Sequence, residues 1–439
     1  MLKNFILEYI MLPLGDKMTK SSFIKNLFLL RKMDRLSKNE LEINQQQKLK
    51  NLLIHASQHV PYYKRLNIAK EDDPVSWLKK FPILDKALLS QNQEQLLSTP
   101  KEQLIRQASS GSSGIQSIVF WNKAEQSLYR ATQIRWWEWA GYKMGTPILQ
   151  TGITPQRGIL KSIKDFIFNT YYLQAFAHSK EDVLKALRWA QRQKEPVLAG
   201  YASSLFVIAT IADEENINVK FKTAVVWGDK LFNHYREKIE HVFQTKVHET
   251  YGSAEGLMMG AQYDLDYMYM MNQHVYIEIV DDQMQAVKEG TWGHVLVTNL
   301  DAFAMPLIRY KIGDLASMLP KEEYPSNPYL AYPIWKKIIG RDTDLVQTPS
   351  GKYLVVHSFT GVFEHIPEIK QFCVIQEHIQ GIRIQYIRGD QFSEAILVKA
   401  KNNLMSYIQE PFDIIFEEVT SIAPTPSGKP QLIISKLKK

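Results

Sequence analysis

The chain has 439 residues, too many for one simple hydrophobic core, so its length predicts two or three domains. Hydrophobic residues at 45% and charged residues at 23% exclude a disordered or fibrous protein, and the scattered basic residues behind the net charge of +7 disfavour nucleic-acid binding. A single cysteine, Cys373, excludes a disulfide framework and a cysteine-rich zinc site, and favours a cytoplasmic setting.

The first apolar segment is Phe5–Leu14, which Glu8 interrupts. It is about half as long as a membrane span, and no small-residue cleavage site follows it. We therefore expect neither a transmembrane helix nor a signal peptide. A packed N-terminal arm is the simpler prediction, and weak contact with a membrane surface is the alternative.

Helices and short apolar runs alternate through the first three quarters of the chain. Leucines at helical spacing predict that segment 43–63 is a helix running into a turn, with Pro61 ending the helical pattern. Ser179 is the predicted N-cap of another helix. Further helices are predicted from Ala124 and over 231–243. Strands are predicted at 196–199, 224–227 and 295–298. This alternation favours α/β layers.

The composition changes after Gly340. Strands are predicted at 372–376, 382–387, 394–400 and 412–419, with a helix at 402–408. About a hundred residues of this kind predict a small α+β domain. We place the domain boundary between residues 339 and 340.

Five polar segments carry candidate chemistry. Gly and Ser residues at 108–114 can wrap phosphates, although no Walker lysine follows them. Glu255, in Tyr251–Glu255, can hold Mg²⁺, and Asp314, at the end of 305–314, can accept hydrogen bonds from ribose. The remaining two are a hinge-like stretch at 339–344 and a loop lysine at 424–429. Alone, each is equally compatible with an ordinary turn, linker or tail.

The order of these five segments resembles the adenylate-forming superfamily of acyl-CoA ligases, peptide-synthetase adenylation domains and luciferases. The chain is most similar to the phenylacetate-CoA ligase branch and, within it, to capsular polysaccharide biosynthesis relatives. That narrower resemblance rests on segments 46–63, 81–86, 200–204 and 371–376. The resemblance implies an α/β fold with a large N-terminal adenylation domain of stacked sheets, 1–339, and a small mobile C-terminal α+β domain, 340–439.

The resemblance also implies a site for ATP and Mg²⁺. Lys429 is the implied mobile catalytic lysine, Arg341 the hinge arginine and Glu255 the Mg²⁺ ligand. Ala254 departs from the Thr or Ser that the family usually has there. The implied nucleotide-binding residues are Ser109, Ser110, Gly111, Ser112, Ser113, Gly114, Gly228, Asp229, Tyr251, Gly252, Ser253, Ala254, Arg309 and Asp314. By position, Tyr201, Trp227 and His178 are candidates for the carboxylate pocket, and core packing is an equal alternative.

The predicted function is ATP-dependent activation of a carboxylic acid as an acyl-adenylate, with release of pyrophosphate. The expected acceptor is CoA. The alternatives are acyl or amide transfer to a sugar or amine in polysaccharide or secondary-metabolite biosynthesis, an inactive nucleotide-binding homologue, and adenylyl transfer to a cofactor. Ala254 favours the inactive homologue, whereas Glu255, Asp314 and Lys429 oppose it.

Overall fold

The computed structural model describes residues 2–108, 117–152, 165–175, 179–229, 231–339, 345–350, 353–363, 366, 368–389, 391–422 and 432–437. Internal contacts divide the chain into two compact units. Unit 1 comprises 1–108, 117–145 and 248–340, and unit 2 comprises 109–116, 146–247 and 341–439. A border between units falls at residues 340 and 341, one residue from the predicted boundary. A separate, mobile domain at 340–439 stays a prediction.

The helices and strands alternate along most of the chain. The helices are α1 Leu2–Ile6, α2 Leu12–Thr19, α3 Phe23–Met33, α4 Lys38–His59, α5 Pro61–Lys64, α6 Pro74–Lys79, α7 Lys86–Gln91, α8 Lys123–Trp139, α9 Lys180–Gln191, α10 Ala202–Glu214, α11 Asn233–Phe243, α12 Val356–Phe363 and α13 Glu394–Ile408. The strands are β1 Ile105–Ala108, β2 Ile118–Trp121, β3 Ile148–Gly152, β4 Thr170–Gln174, β5 Val197–Tyr201, β6 Thr223–Trp227, β7 Val247–Gly252, β8 Met258–Gln262, β9 Met268–Met270, β10 Val275–Val280, β11 Gly293–Asn299, β12 Tyr310–Met318, β13 Ile334–Ile339, β14 Leu345–Gln347, β15 Tyr353–Val355, β16 Ile369–His378, β17 Gly381–Arg388, β18 Asp413–Glu418 and β19 Ile433–Ser435.

Local sequence explains where the helices begin, including α4, which starts at Lys38 rather than at the predicted residue 43. Ser37 and Glu40 form a capping box at the start of α4, and Asn122 and Glu125 form one at the start of α8. Ser179 accepts a hydrogen bond from the backbone N–H of Asp182 and caps α9, as predicted. The helices predicted from Ala124 and over 231–243 are α8 and α11, so the α/β prediction is confirmed at these elements.

Unit 1 is built around antiparallel strands in the order β10-β11-β12-β13-β9-β8-β7. The predicted strand at 295–298 is the centre of β11. The core of this unit packs leucines of α4 against aromatic and aliphatic side chains of β11, β12 and β13, including the fully buried Tyr310. In a separate hairpin, β1 pairs antiparallel with β2, and Ala108 lies opposite Ile118. The Ser/Gly segment therefore connects two paired strands.

Unit 2 contains a parallel run of strands in the order β6-β5-β3-β4. Helix α9 connects β4 to β5, and α10 connects β5 to β6, so their apolar faces cover the strands and form one core. The predicted strands at 196–199 and 224–227 are β5 and β6. In open parallel sheets, ligands bind at the carboxyl ends of the strands. Those ends are Gly152, Gln174, Tyr201 and Trp227.

The C-terminal part of unit 2 has its own hydrophobic core and a four-stranded sheet in the order β18-β17-β16-β19. The strand predicted at 394–400 is wrong, because those residues begin α13. Ala400, Leu404 and Ile408 recur at helical spacing and are buried, whereas a strand would have placed Val398 and Ala400 on one face. Cys373 lies on β16 with only 1% of its surface exposed, and burial raises the pKa of its thiol to about 11.

The N-terminal segment is helical throughout: α1 continues through a π-helical turn, Leu7–Met11, into α2. Among the apolar side chains that the structure describes at 4–19, Leu7 alone is buried, so this part packs less closely than the predicted arm. No helix within the described ranges is long and apolar enough to cross a membrane.

Candidate active site

Two predicted motifs of unit 1 are joined by a hydrogen bond. The phenol of Tyr251, near the end of β7, donates to the carboxylate of Asp314 on β12 at 2.8 Å. Asp314 lies inside a strand rather than in the turn considered from the sequence, and Gly313 before it has φ +92°. The predicted adenine and ribose residues therefore lie on strand backbone, which holds them in fixed geometry.

Glu255 follows Tyr251 in a turn that leads into β8. Its side chain is buried, with 4% of the residue exposed, and the phenol of Tyr310 donates to it at 3.2 Å. Among the described residues it forms no ion pair. A buried carboxylate without a cation is costly, so this position is suited to a positively charged ligand.

The neighbours of Glu255 define a small polar cluster. Ser117, directly after the Ser/Gly segment, is buried and lies 3.0 Å from the Tyr310 phenol, oxygen to oxygen. The Tyr310 phenol therefore links the Ser117 hydroxyl to the Glu255 carboxylate. Burial, and secondly the charge of Glu255, raise the pKa of the nearby Tyr129. We call Ser117, Tyr251, Glu255, Tyr310 and Asp314 the Glu255 cluster.

The turn itself carries two further predicted residues. The Ser253 hydroxyl oxygen is buried and makes no hydrogen bond to any described residue. Ala254 beside it is exposed. Gly256 has φ +86°, and a Cβ there would lie 2.7 Å from the Trp121 ring, so only glycine fits the turn.

A half-buried ionic network supports this turn from behind. His274 contacts the Gly256 carbonyl oxygen at 3.1 Å and the Asp301 carboxylate at 2.8 Å. Lys48 of α4 binds the other oxygen of Asp301 at 2.6 Å. Burial raises the pKa of Asp301, but the charges of Lys48 and His274 outweigh it and hold the pKa below its usual range.

Arg309 makes contacts within the protein that its motif does not predict. Its guanidinium pairs with Glu278 at 3.0 Å and donates to the carbonyl oxygens of Lys79 and Phe81. It therefore fastens the predicted 81–86 segment to the antiparallel strands. This engagement disfavours a nucleotide contact by Arg309, which stays a prediction.

The predicted residues of unit 2 lie together at the carboxyl ends of β5 and β6. Tyr201 and Trp227 pair across the two strands, with ring centroids 6.3 Å apart. Gly228 has φ +84°, and a Cβ there would lie 2.4 Å from the Tyr201 ring. Aromatic rings at this edge can stack on an organic acid, which favours the pocket prediction over core packing.

Asp229 completes this group, which we call the Asp229 cluster: Tyr201, Trp227, Gly228 and Asp229. Its carboxylate accepts from the backbone N–H groups of Ala202 and Ser203 at 2.6 and 3.0 Å, and from the Ser203 hydroxyl. These contacts cap the N-terminus of α10. Burial raises the pKa of Asp229 to about 6, although the hydrogen bonds lower it.

Several predicted site residues lie outside the described residues. They are Ser109, Ser110, Gly111, Ser112, Ser113, Gly114, His178, Arg341 and Lys429. Sequence reasoning did not select Ser117, Tyr310, His274 or Asp301. Tyr310 could have been selected from the sequence, because it lies inside the 305–314 motif. The His274–Asp301–Lys48 network had no local signal, since its members are far apart in the chain.

Comparisons with known proteins agree with the predicted resemblance. No protein-family model matches the chain. Protein CapK of Staphylococcus aureus is 23% identical over 417 residues, covering 91% of this chain and 90% of that protein. Phenylacetate-coenzyme A ligase of Escherichia coli strain K12 is 26% identical over 302 residues, covering 65% and 68%. A crystal structure of 2-hydroxyisobutyryl-CoA ligase with 2-HIB-AMP and CoA has a TM-score of 0.62 at 17% identity, covering 92% and 91%.

The chain has the fold of the adenylate-forming acyl-CoA ligases. Within that class its homologues are named phenylacetate-coenzyme A ligase and Protein CapK, which confirms the resemblance predicted from the five motifs. Its homologues and structural neighbours include ligases of the predicted enzyme class.

Proposed function

We propose that this protein uses ATP to activate a carboxylic acid as an acyl-adenylate, releases pyrophosphate and transfers the acyl group to CoA. The observation that carries the proposal is Glu255, a buried carboxylate without an ion pair among the described residues, beside the Tyr251–Asp314 pair. Two relatives support it by name: phenylacetate-coenzyme A ligase, and the 2-hydroxyisobutyryl-CoA ligase solved with an acyl-AMP and CoA.

The residues present fit a magnesium ion bound together with ATP. No group of three or more potential metal ligands occurs among the described His, Cys, Asp and Glu residues, so a cage made only of protein is not indicated. Mg²⁺ in nucleotide enzymes typically takes one or two carboxylates together with substrate phosphates and water. Glu255 supplies one such carboxylate, and the bound ion would neutralise phosphate charge.

The other residues of the Glu255 cluster orient the nucleotide. Asp314 accepts hydrogen bonds from the ribose hydroxyls, and the Tyr251 phenol holds its carboxylate in place. The Tyr251 ring offers a face for adenine. The Ser253 hydroxyl has no hydrogen-bond partner among the described residues, so it is available to donate to a phosphate oxygen. This would supply the hydrogen bond that Ala254 lacks.

Lys429 neutralises the charge that builds up when the carboxylate attacks the α-phosphorus, as the resemblance implies. An ionised acid and ATP repel each other, and a cation that contacts both lowers this barrier. The acid needs no general base because it is ionised at neutral pH. Tyr201 and Trp227 line the acid pocket.

The acceptor distinguishes the main proposal from its alternative. Protein CapK of Staphylococcus aureus aligns with nine tenths of this chain, whereas the phenylacetate-coenzyme A ligase alignment covers two thirds. This broader similarity favours, as a second candidate, acyl or amide transfer to a sugar or amine. A role in polysaccharide biosynthesis belongs to this second candidate. Mg²⁺ dependence and a cytoplasmic location are proposed for both candidates.

Pyrophosphate release tests the proposal. Purified protein with ATP and Mg²⁺ is given a panel of aryl, fatty and hydroxy acids, with and without CoA. We expect release that depends on one class of acid and rises with CoA. Lys429→Ala should abolish it, whereas Lys399→Ala, which changes an exposed lysine of α13, should retain it.

The remaining outcomes divide the alternatives. Release that CoA does not increase, but hydroxylamine does, would favour a sugar or amine acceptor. A protein that binds ATP but releases no pyrophosphate with any acid would contradict the ligase and favour the inactive homologue.

A further inference from the structure

The N-terminal helices expose an unusually dense apolar surface. Seven of the sixteen large hydrophobic side chains that stand out as exposed among the described residues lie within residues 5–18. They are Phe5, Ile6, Tyr9, Ile10, Met11, Leu14 and Met18. Apolar clusters of this density on a protein surface usually mark an interaction site.

This surface is continuous over two helices. Ile6, Ile10, Leu14 and Met18 recur every four residues and form one stripe along the first helical segment. The Tyr9 ring stacks on Phe28 of α3, with centroids 5.7 Å apart. We call the exposed faces of residues 4–35 the N-terminal surface.

The cations of this surface face outward. Lys17, Lys20, Lys25, Lys32 and Arg35 are exposed, and none of them forms an ion pair with a described residue. On α3, the exposed Leu29 lies between Lys25 and Lys32 at helical spacing. Apolar side chains are therefore flanked by free positive charge.

The acidic side chains of the same segment are all engaged within the protein. Glu8 pairs with Arg31 at 2.5 Å, and Asp16 accepts from the backbone N–H of Ile24 at 2.7 Å. Asp34 pairs with Arg135 at 2.6 Å. This sorting leaves an outward face that combines apolar and cationic groups without a free carboxylate.

We propose that the N-terminal surface binds the surface of an anionic lipid bilayer. A helix with apolar side chains on one face and flanking lysines lies in the headgroup region, where acyl chains accept the apolar side chains and anionic headgroups attract the cations. A second copy of this chain fits less well, because a symmetric contact would bring the five cations opposite themselves.

Sedimentation with vesicles tests this binding. The full chain is mixed with vesicles of phosphatidylglycerol and phosphatidylcholine in equal parts, or of phosphatidylcholine alone. We expect the protein to sediment with the anionic vesicles and to bind the neutral ones more weakly. Binding to the anionic vesicles should weaken as the salt concentration is raised. Failure to sediment with anionic vesicles at low salt would overturn the proposal.

Two double variants separate the apolar from the ionic contribution. Ile10→Gln with Leu14→Gln should lower the fraction bound at least about tenfold, because it removes two buried aliphatic groups from the bound state while keeping helix propensity. Its control is Ile43→Gln with Val398→Gln, two aliphatic residues of α4 and α13 at similar exposure. Lys17→Gln with Lys25→Gln should weaken binding and its salt dependence, whereas Lys399→Gln with Lys401→Gln should not.

Light scattering of the free protein tests whether the N-terminal surface instead binds a second copy of this chain. A dimer that the Ile10→Gln and Leu14→Gln variant dissociates, without any vesicle binding, would assign the surface to self-association and contradict the lipid proposal. Equal vesicle binding by this variant and its control would contradict it as well. Thermal unfolding of each variant verifies that a loss of binding is not a loss of fold.

Discussion

Glu255 is a buried carboxylate and Asp229 a half-buried one; both are predicted nucleotide residues, and their surroundings differ. Asp229 accepts three hydrogen bonds from the start of α10. Glu255 accepts one, from Tyr310, and pairs with no cation in the part of the chain that the structure describes. The number of partners separates a carboxylate that supports the fold from one that retains capacity for a ligand.

The same distinction applies to the charged residues around each cluster. Asp301 and Arg309 have their charges engaged by Lys48 and Glu278, and both support the strands and turn behind Glu255. The contacts of Asp301 and Arg309 are structural, whereas the neighbouring Glu255 and Asp314 are the residues that we propose bind the nucleotide. Substitutions can therefore be assigned in advance to activity or to stability.

The largest expected effect is on activity at Glu255. Glu255→Gln should lower pyrophosphate release about 10²- to 10³-fold, because the site loses its charge for Mg²⁺ while Gln still accepts from Tyr310. Its free energy of unfolding in urea should equal or exceed that of the wild type, since an unpaired buried charge is removed. A large loss of stability would instead make Glu255 a structural residue.

Asp301→Asn should have the largest effect on stability. We expect a loss of about 3 kcal/mol in urea unfolding, because Lys48 loses its partner. Since the folded pKa of Asp301 lies below its unfolded value, its contribution is present above that unfolded value and is lost as the pH falls through the folded pKa. The wild type should therefore lose stability below about pH 4 more steeply than the variant.

Asp229→Ala should lower the free energy of unfolding by about 1–2 kcal/mol, because α10 loses its cap. The pKa of Asp229 is raised to about 6, so the folded protein takes up its proton more readily than the unfolded chain. Its stabilising effect is complete at low pH and lost as the pH rises towards 6. Asp229→Asn should flatten this decline between about pH 4 and 6; an unchanged slope would contradict the assignment.

Asp314→Ala should weaken ATP binding about tenfold, measured by calorimetry, because the ribose hydroxyls lose a charged acceptor. Tyr251→Phe should weaken it less, since Asp314 keeps its charge but loses the phenol at 2.8 Å. Asp264→Ala, on an acidic residue outside the cluster, is the control. Equal affinity in all variants would remove the ribose role.

Ala254→Thr should have the smallest effect. The residue is exposed, so a larger side chain fits, and its hydroxyl would restore a hydrogen bond worth about 1 kcal/mol. We expect pyrophosphate release to stay equal or rise severalfold. A marked decrease would indicate that Ser253 has taken over this contact in a way that Thr obstructs.

Sequence reasoning predicted most of the fold because local signals agreed with the final structure. Pro61 was the predicted stop of the helix that became α4, Ser179 caps α9 as predicted, and short apolar runs became β5, β6 and β11. The failure at 394–400 has a physical cause: Ile396, Leu397 and Val398 are branched, apolar and consecutive, which suits either a strand or a helix. Burial of Ala400, Leu404 and Ile408 decided for the helix.

The site was predictable only where its residues lie in motifs. Tyr251, Glu255 and Asp314 were selected from such motifs, whereas Ser117 and His274 act through partners distant in the chain. Arg309 also lies in a motif, and its ion pair with Glu278 could not be predicted from any local pattern. Roles of charged residues depend on tertiary partners, and those partners are known only after folding.

The lone thiol of Cys373 gives this protein a built-in reporter. Burial on β16 and a pKa of about 11 keep it nearly unreactive while the C-terminal sheet is closed. The rate of modification by a maleimide therefore measures how often that sheet opens, without any engineered label. Adding ATP or an acid during labelling would reveal whether these ligands slow that opening.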